Sequence, residues 1–153
     1  MDYKEATDFA NSSLAQWNLQ DWSFGFNKNK RRLGVCFYKE KRIEVSIYHL
    51  VNSDEDIKNT ILHEIAHAIC PKRGHGIEWK RCCRLVGARP ERCGKAASLD
   101  HAPHKWELKC STCSHISKMH RKPKRKLACA KCCKTYNFGK FSEKYVFTLI
   151  QVR

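Results

Sequence analysis

His63, Glu64 and His67 stand in the order His-Glu-x-x-His, a pattern with direct chemical meaning. Histidines four residues apart lie one turn above each other on the same helix face, so two imidazoles can converge on one zinc ion. Glu64 is rotated by about 100° from His63, which sets it beside the metal rather than on it. That is the place of a general base for an activated water. A hydrolytic zinc needs a third protein ligand and one open position. His75, in Arg73-Gly74-His75-Gly76, is the nearest candidate, because the flanking glycines permit the tight backbone path back over the metal.

A second set of ligands lies further on. Cys110 and Cys113 form one C-x2-C pair and Cys129 and Cys132 another, with 15 residues between them. This spacing matches a closed, four-thiolate structural zinc site, whose metal supplies most of the folding energy of so small a segment. Two zinc ions are therefore expected, one catalytic and one structural. Between the pairs lie Lys118, His120, Arg121, Lys122, Lys124, Arg125 and Lys126, arranged around Pro123. Carried on a metal-held platform, with Trp106, Tyr136 and Phe138 available for base stacking, these cations suit contact with nucleic-acid phosphates without sequence readout. Cys133 adjoins the second pair and competes as a ligand. Cys36, Cys70, Cys82, Cys83 and Cys93 read as buried reduced thiols, and His49 as structural.

The elements that must position these groups are legible in the patterning. Tyr3, Ala6, Ala10, Leu14 and Trp17 recur at helical spacing over residues 2–17. Leu33, Val35 and Phe37, then Ile43, Val45 and Ile47, alternate as two strands of a hairpin turning at Lys39–Arg42. Ser23–Asn27 offers a third strand, giving a small antiparallel sheet. Ser53 then caps a helix with Asp54, Glu55 and Asp56 in its first turn. That helix runs to Cys70, where Pro71 stops it. Its isoleucines, Ile57, Ile61, Ile65 and Ile69, fall opposite His63, so one side is built for burial and the other for a cleft. A further helix spans Ile77–Val86 and ends at Gly87. Residues 87–105 read as an irregular linker, and the segment after Trp106 as short strands between the cysteine pairs.

Composition narrows the partners. The 153 residues carry 30 Lys+Arg against 15 Asp+Glu, a net charge of +15. Residues 1–100 hold a net of +4 and residues 101–153 a net of +11, so an anionic partner is met mainly by the C-terminal third. No apolar run approaches the roughly 20 residues of a membrane span. The first residues lack the basic start and apolar stretch of a secretory signal, so an intracellular, reduced setting is expected. That means cytoplasm or nucleoid in a prokaryote or phage, and the nucleus in a eukaryote.

Taken together, HEIAHAICPKRGHGIEWKRCCRLVGARP resembles the signature of the SprT-like zinc metalloproteases. His63 to His67, then His75-Gly76-Ile77-Glu78-Trp79-Lys80, then Gly87-Ala88-Arg89-Pro90 match in order, and the two cysteine pairs resemble the zinc ribbon that follows in many members. The resemblance implies an α+β, zincin-like minimal protease over residues 1–100 and a small β zinc ribbon over 101–153. It implies zinc held by His63, His67 and His75, with Glu64 as catalytic base. It further implies a DNA-stimulated endopeptidase that cleaves proteins bound or crosslinked to single-stranded or partly duplex DNA. A monomer with no membrane partner is expected. The alternative is a DNA-binding zinc adaptor without catalysis.

Overall fold

Asp2 opens the first helix, α1 (Tyr3–Gln16), with a capping box: its side chain accepts from the Glu5 N–H, and Glu5 reaches back to the Asp2 N–H. In the computed structural model, which describes residues 1–70, 74–92, 99 and 102–152, the chain forms two compact units, Met1–His101 and Ala102–Arg153.

In the first unit three strands form one sheet: β1 (Ser23–Asn27), β2 (Gly34–Phe37) and β3 (Arg42–Ser46). The β2–β3 hairpin forms, but the alternation of β2 does not mark its core face. Gly34 and Cys36 lie opposite the buried Val45 and Ile43, Val35 and Phe37 lie opposite Glu44 and Arg42, and Leu33 falls outside the strand. The sheet is not antiparallel throughout, however. β1 pairs with β3 in parallel, Phe24 beside Ile43 and Phe26 beside Val45, so the order is β1-β3-β2 and the sheet is mixed. Burial explains the arrangement. Ile43 and Val45 are wholly buried, so β3 takes the centre, and β2 is left at an edge. Ile47 falls outside the strand, in a short 3-10 turn at Ile47–His49.

Ser53 caps α2 (Asp54–Ile69) by accepting from the Asp56 N–H, and Cys70 is its C-cap. Pro71 lies outside the described residues. Ile57, Ile61 and Ile65 are fully buried against Ala6, Ala10 and Leu14 of α1, the sheet, and Trp79, Cys83 and Val86 of α3 (Ile77–Val86). His49 is buried as a structural group. Its Nε2 lies 2.9 Å from Thr60 Oγ1 and its Nδ1 2.8 Å from Asn52 Nδ2, which ties the strand end to α2. Gly87 ends α3 in the left-handed region, at φ 82°, where a side chain would be strained. Arg89 then anchors the outgoing chain to α2. Its N–H donates to Asn59 Oδ1 at 2.8 Å and its guanidinium to Asp56 Oδ1 at 2.7 Å.

The second unit is a three-stranded antiparallel sheet, ordered β5-β4-β6, from β4 (Trp106–Lys109), β5 (Ile116–Met119) and β6 (Thr148–Gln151). It is not all β. A helix, α4 (Ala130–Tyr136), begins at Cys129 and carries the second cysteine pair. No helix among the described residues is long and apolar enough to cross a membrane.

Candidate active site and metal centres

The α2 backbone sets His63 and His67 one turn apart, and the chain after α2 returns His75 to meet them. His67 Nε2 lies 3.1 Å from His75 Nε2, which lies 3.3 Å from His63 Nε2. Three imidazole nitrogens at this separation fit the ligand edge of a tetrahedral zinc, about 3.3 Å for Zn–N bonds near 2.0–2.1 Å. The reading of the glycines beside His75 is half realised. Gly74 takes a positive φ of 93°, while Gly76 is an ordinary extended N-cap of α3.

Trp79, on α3, walls all three rings. Its ring centroid is 4.7 Å from that of His63, 4.4 Å from that of His75 and 5.2 Å from that of His67, on which it stacks. Burial pushes the pKa of His63 and of His67 down to about 4, each with help from its neighbouring imidazole, and lowers that of His75 as well. The rings are thus neutral near pH 7, the form that binds metal.

Glu64 is almost entirely enclosed, and burial pushes its pKa up to about 8, with Arg32 pulling the other way. Burial alone thus favours the protonated carboxyl, and a cation held beside it would favour the carboxylate that can take a proton.

Two further residues at the site carry no motif in the sequence. The Tyr38 hydroxyl is 3.3 Å from His67 Nδ1, so the ring can donate there and leave Nε2 for a metal. Gly34 of β2 lies against the Glu64 side chain: a Cβ there would fall 2.7 Å from Glu64 Oε1 and 2.9 Å from its Cγ. Only the absence of a side chain lets β2 approach the carboxyl this closely. No periodicity or spacing signals either residue, because both matter only through a long-range contact.

In the second unit Cys110, Cys113, Cys129 and Cys132 converge, with all their sulfurs within 4.8 Å of one another. Cys110 Sγ is 3.7 Å from Cys132 Sγ and Cys113 Sγ is 3.6 Å from Cys129 Sγ. A tetrahedral zinc–thiolate site, with bonds of 2.3 Å, requires edges of about 3.8 Å. The Cys113 backbone N–H lowers the Cys110 pKa to about 6, whereas burial and the neighbouring thiols raise that of Cys132. One thiolate is thus favoured and the next disfavoured, and a shared cation reconciles them. Cys133 joins this unit's small core, outside the quartet. Cys70 and Cys83 are buried and Cys36 and Cys82 half-buried, whereas Cys93 lies outside the described residues.

Lys118 sits on β5, while Arg121, Lys122, Lys124, Arg125 and Lys126 are exposed in the chain that follows. Not all are uncommitted. Lys126 pairs with Glu143 at 3.2 Å, and the Lys122 ammonium lies 5.6 Å above the Trp106 ring. Tyr136 and Phe138 are exposed, while Trp106 is half-buried.

The model of the SprT-like family matches residues 3–101, well over half of the chain. The chain belongs to the SprT-like family. That membership suggests a metalloprotease-like enzyme, in keeping with the three-histidine and four-cysteine groups, each able to hold a metal ion. No curated protein matches the chain. The family match covers the unit that contains the histidines, and the cysteine quartet lies beyond it.

Proposed function

We propose that the chain is a zinc-dependent endopeptidase that cleaves proteins bound or crosslinked to DNA, with the four-cysteine unit supplying DNA contact. The observation that carries this reading is the convergence of three imidazole Nε2 atoms beside a buried glutamate in a SprT-like chain.

His63, His67 and His75 would hold the catalytic zinc, and Cys110, Cys113, Cys129 and Cys132 the structural one. The catalytic ion supplies, when bound, a Lewis acid that polarises the scissile carbonyl and acidifies water. Glu64 takes the proton of the attacking water on a carboxylate oxygen and returns it to the leaving amine nitrogen. Tyr38 fixes the His67 tautomer, and Trp79 holds the three rings in register. β2 lies at a sheet edge and passes Glu64 at Gly34, so a substrate segment paired along β2 is led past the base by backbone hydrogen bonds. Such pairing reads little side-chain identity, and location then decides what is cut. Lys118, Arg121, Lys122, Lys124, Arg125 and Lys126 would meet phosphates, Lys126 after leaving Glu143.

Two outcomes test these roles. Gly34→Ala forces the Glu64 carboxyl aside, and a misplacement of this kind lowers kcat by about 100-fold. Zinc content stays at the wild-type level, as metal analysis of the purified variant would show. For the function as a whole, a DNA-binding protein serves as substrate with and without its DNA. Co-localisation on DNA raises the cleavage rate at least about 10-fold through effective concentration. Equal rates in both arms contradict the DNA-directed reading and leave a general peptidase.

A further inference from the structure

We infer that the loop joining β1 to β2, residues 28–33, is a second phosphate-binding site, which places nucleic acid on the catalytic unit itself, beside the cleft. The inference rests on the DNA-directed reading above and adds where on the catalytic unit the polyanion sits.

Lys28, Lys30, Arg31 and Arg32 supply four cations in five consecutive residues, with Asn29 between them and no acidic residue in the loop. Lys28, Arg31 and Arg32 are exposed, and among the described residues no carboxylate forms an ion pair with any of the three. The loop is nevertheless firmly built. Asn27 Oδ1 accepts from the Asn29 N–H at 2.8 Å, and Asn29 Oδ1 accepts from the N–H groups of Arg31 and Arg32 at 2.9 and 3.0 Å. Ser46, at the end of β3, closes the structure from the sheet side. Its hydroxyl donates to the Asn29 carbonyl at 2.5 Å and its N–H to the Leu33 carbonyl at 2.8 Å. The cations are therefore presented on a prefolded backbone, and less ordering entropy is lost on binding.

Position gives the loop its meaning. Leu33 leads directly into Gly34, which touches Glu64, and Arg32 is near enough to act on the Glu64 carboxyl. Lys80 and Arg92 line an open groove with His75, together with Glu91. Residues 28–32 offer charge without apolar anchors, which suits a phosphate backbone better than an acidic peptide, whose recognition also needs side-chain pockets.

The test uses the full-length, zinc-loaded protein and an oligothymidylate strand as probe. In the double variant Lys28→Gln/Arg31→Gln, two lost phosphate contacts reduce the slope of log affinity against log salt by about 1.4, at about 0.7 per contact. The stimulation factor, cleavage of a DNA-bound substrate with DNA over that without, falls several-fold. Lys39→Gln, which removes a charge at the far end of β2, leaves both readouts at the wild-type value. Zinc content and the thermal midpoint confirm that the variants are folded. An unchanged slope in the double variant overturns the inference while the ribbon's role stands. A changed KM for an acidic protein substrate, with the slope unchanged, also overturns it and assigns the loop to peptide. Failure of the wild type to bind the strand defeats the DNA-directed reading itself.

Discussion

Glu64→Gln is expected to abolish proteolysis while leaving both metal sites and DNA binding in place. The substitution keeps the volume and shape of a side chain that is almost wholly enclosed and in contact with Gly34, so the packing around it has no reason to move. What it removes is the oxygen that can take a proton. General base and acid functions of this kind contribute about 10²- to 10⁴-fold, and the loss falls on kcat rather than on substrate binding. Steady-state cleavage of a DNA-bound protein, paired with metal analysis and a DNA-binding isotherm on the same sample, gives all three readouts. Undiminished cleavage would show that another group serves as base. A wild type with no cleavage at all, yet intact zinc and DNA binding, would instead favour a non-catalytic zinc adaptor.

Cys129→Ser should unfold the second unit. The cluster of buried residues there is Cys110, Cys129, Cys132, Cys133 and Tyr145, with Ala128 and Phe147 packed against it. Four of these five buried residues are cysteines, so little apolar surface holds the unit together without a metal. Structural zinc binding contributes about 10–16 kcal/mol in small zinc modules, as much as or more than the whole stability of an ordinary domain. Cys129 also caps α4 and donates its N–H to the Tyr145 carbonyl at 2.8 Å, which couples the metal to the helix and to the chain that leads into β6. In amide exchange the variant should lose protection at β4, β5 and β6, and DNA affinity should fall with it. Protection retained across those strands would mean that the fold does not depend on the quartet.

Both substitutions fall on residues whose chemistry is written in short-range pattern. The α2 helix is legible because its determinants are local: Ser53 as cap, acids in the first turn, isoleucines on one arc and histidines on the other. The β2–β3 pairing is legible for the same reason, but the core face of β2 is not, because Gly34 and Cys36 rather than Val35 and Phe37 stand opposite the buried Val45 and Ile43. The direction of β1 is not, since alternation fixes which face a side chain takes but not which neighbour a strand chooses. α4 escapes detection because Ala130–Tyr136 is short, and its cysteines read first as ligands. His75 is legible through its spacing and the glycines beside it, of which only Gly74 adopts the special backbone. Tyr38 and Gly34 are invisible in the sequence. Each lies on the β2 side of the molecule and acquires its role only when the sheet packs on α2. The cations of the β1–β2 loop are hidden in the sequence by the net charge of only +4 over residues 1–100, and their place beside Glu64 is a property of the fold.

The most direct test of the metal-centred mechanism is a zinc count by native mass spectrometry, after washing with a mild chelator, on the wild type, His75→Ala and Glu64→Gln. Two complete tetrahedral sites predict about two zinc ions per chain for the wild type and for Glu64→Gln, and about one for His75→Ala. A His75→Ala protein that still holds about two ions, or a wild type that holds only the one bound by its cysteines, would contradict a catalytic zinc on these three histidines.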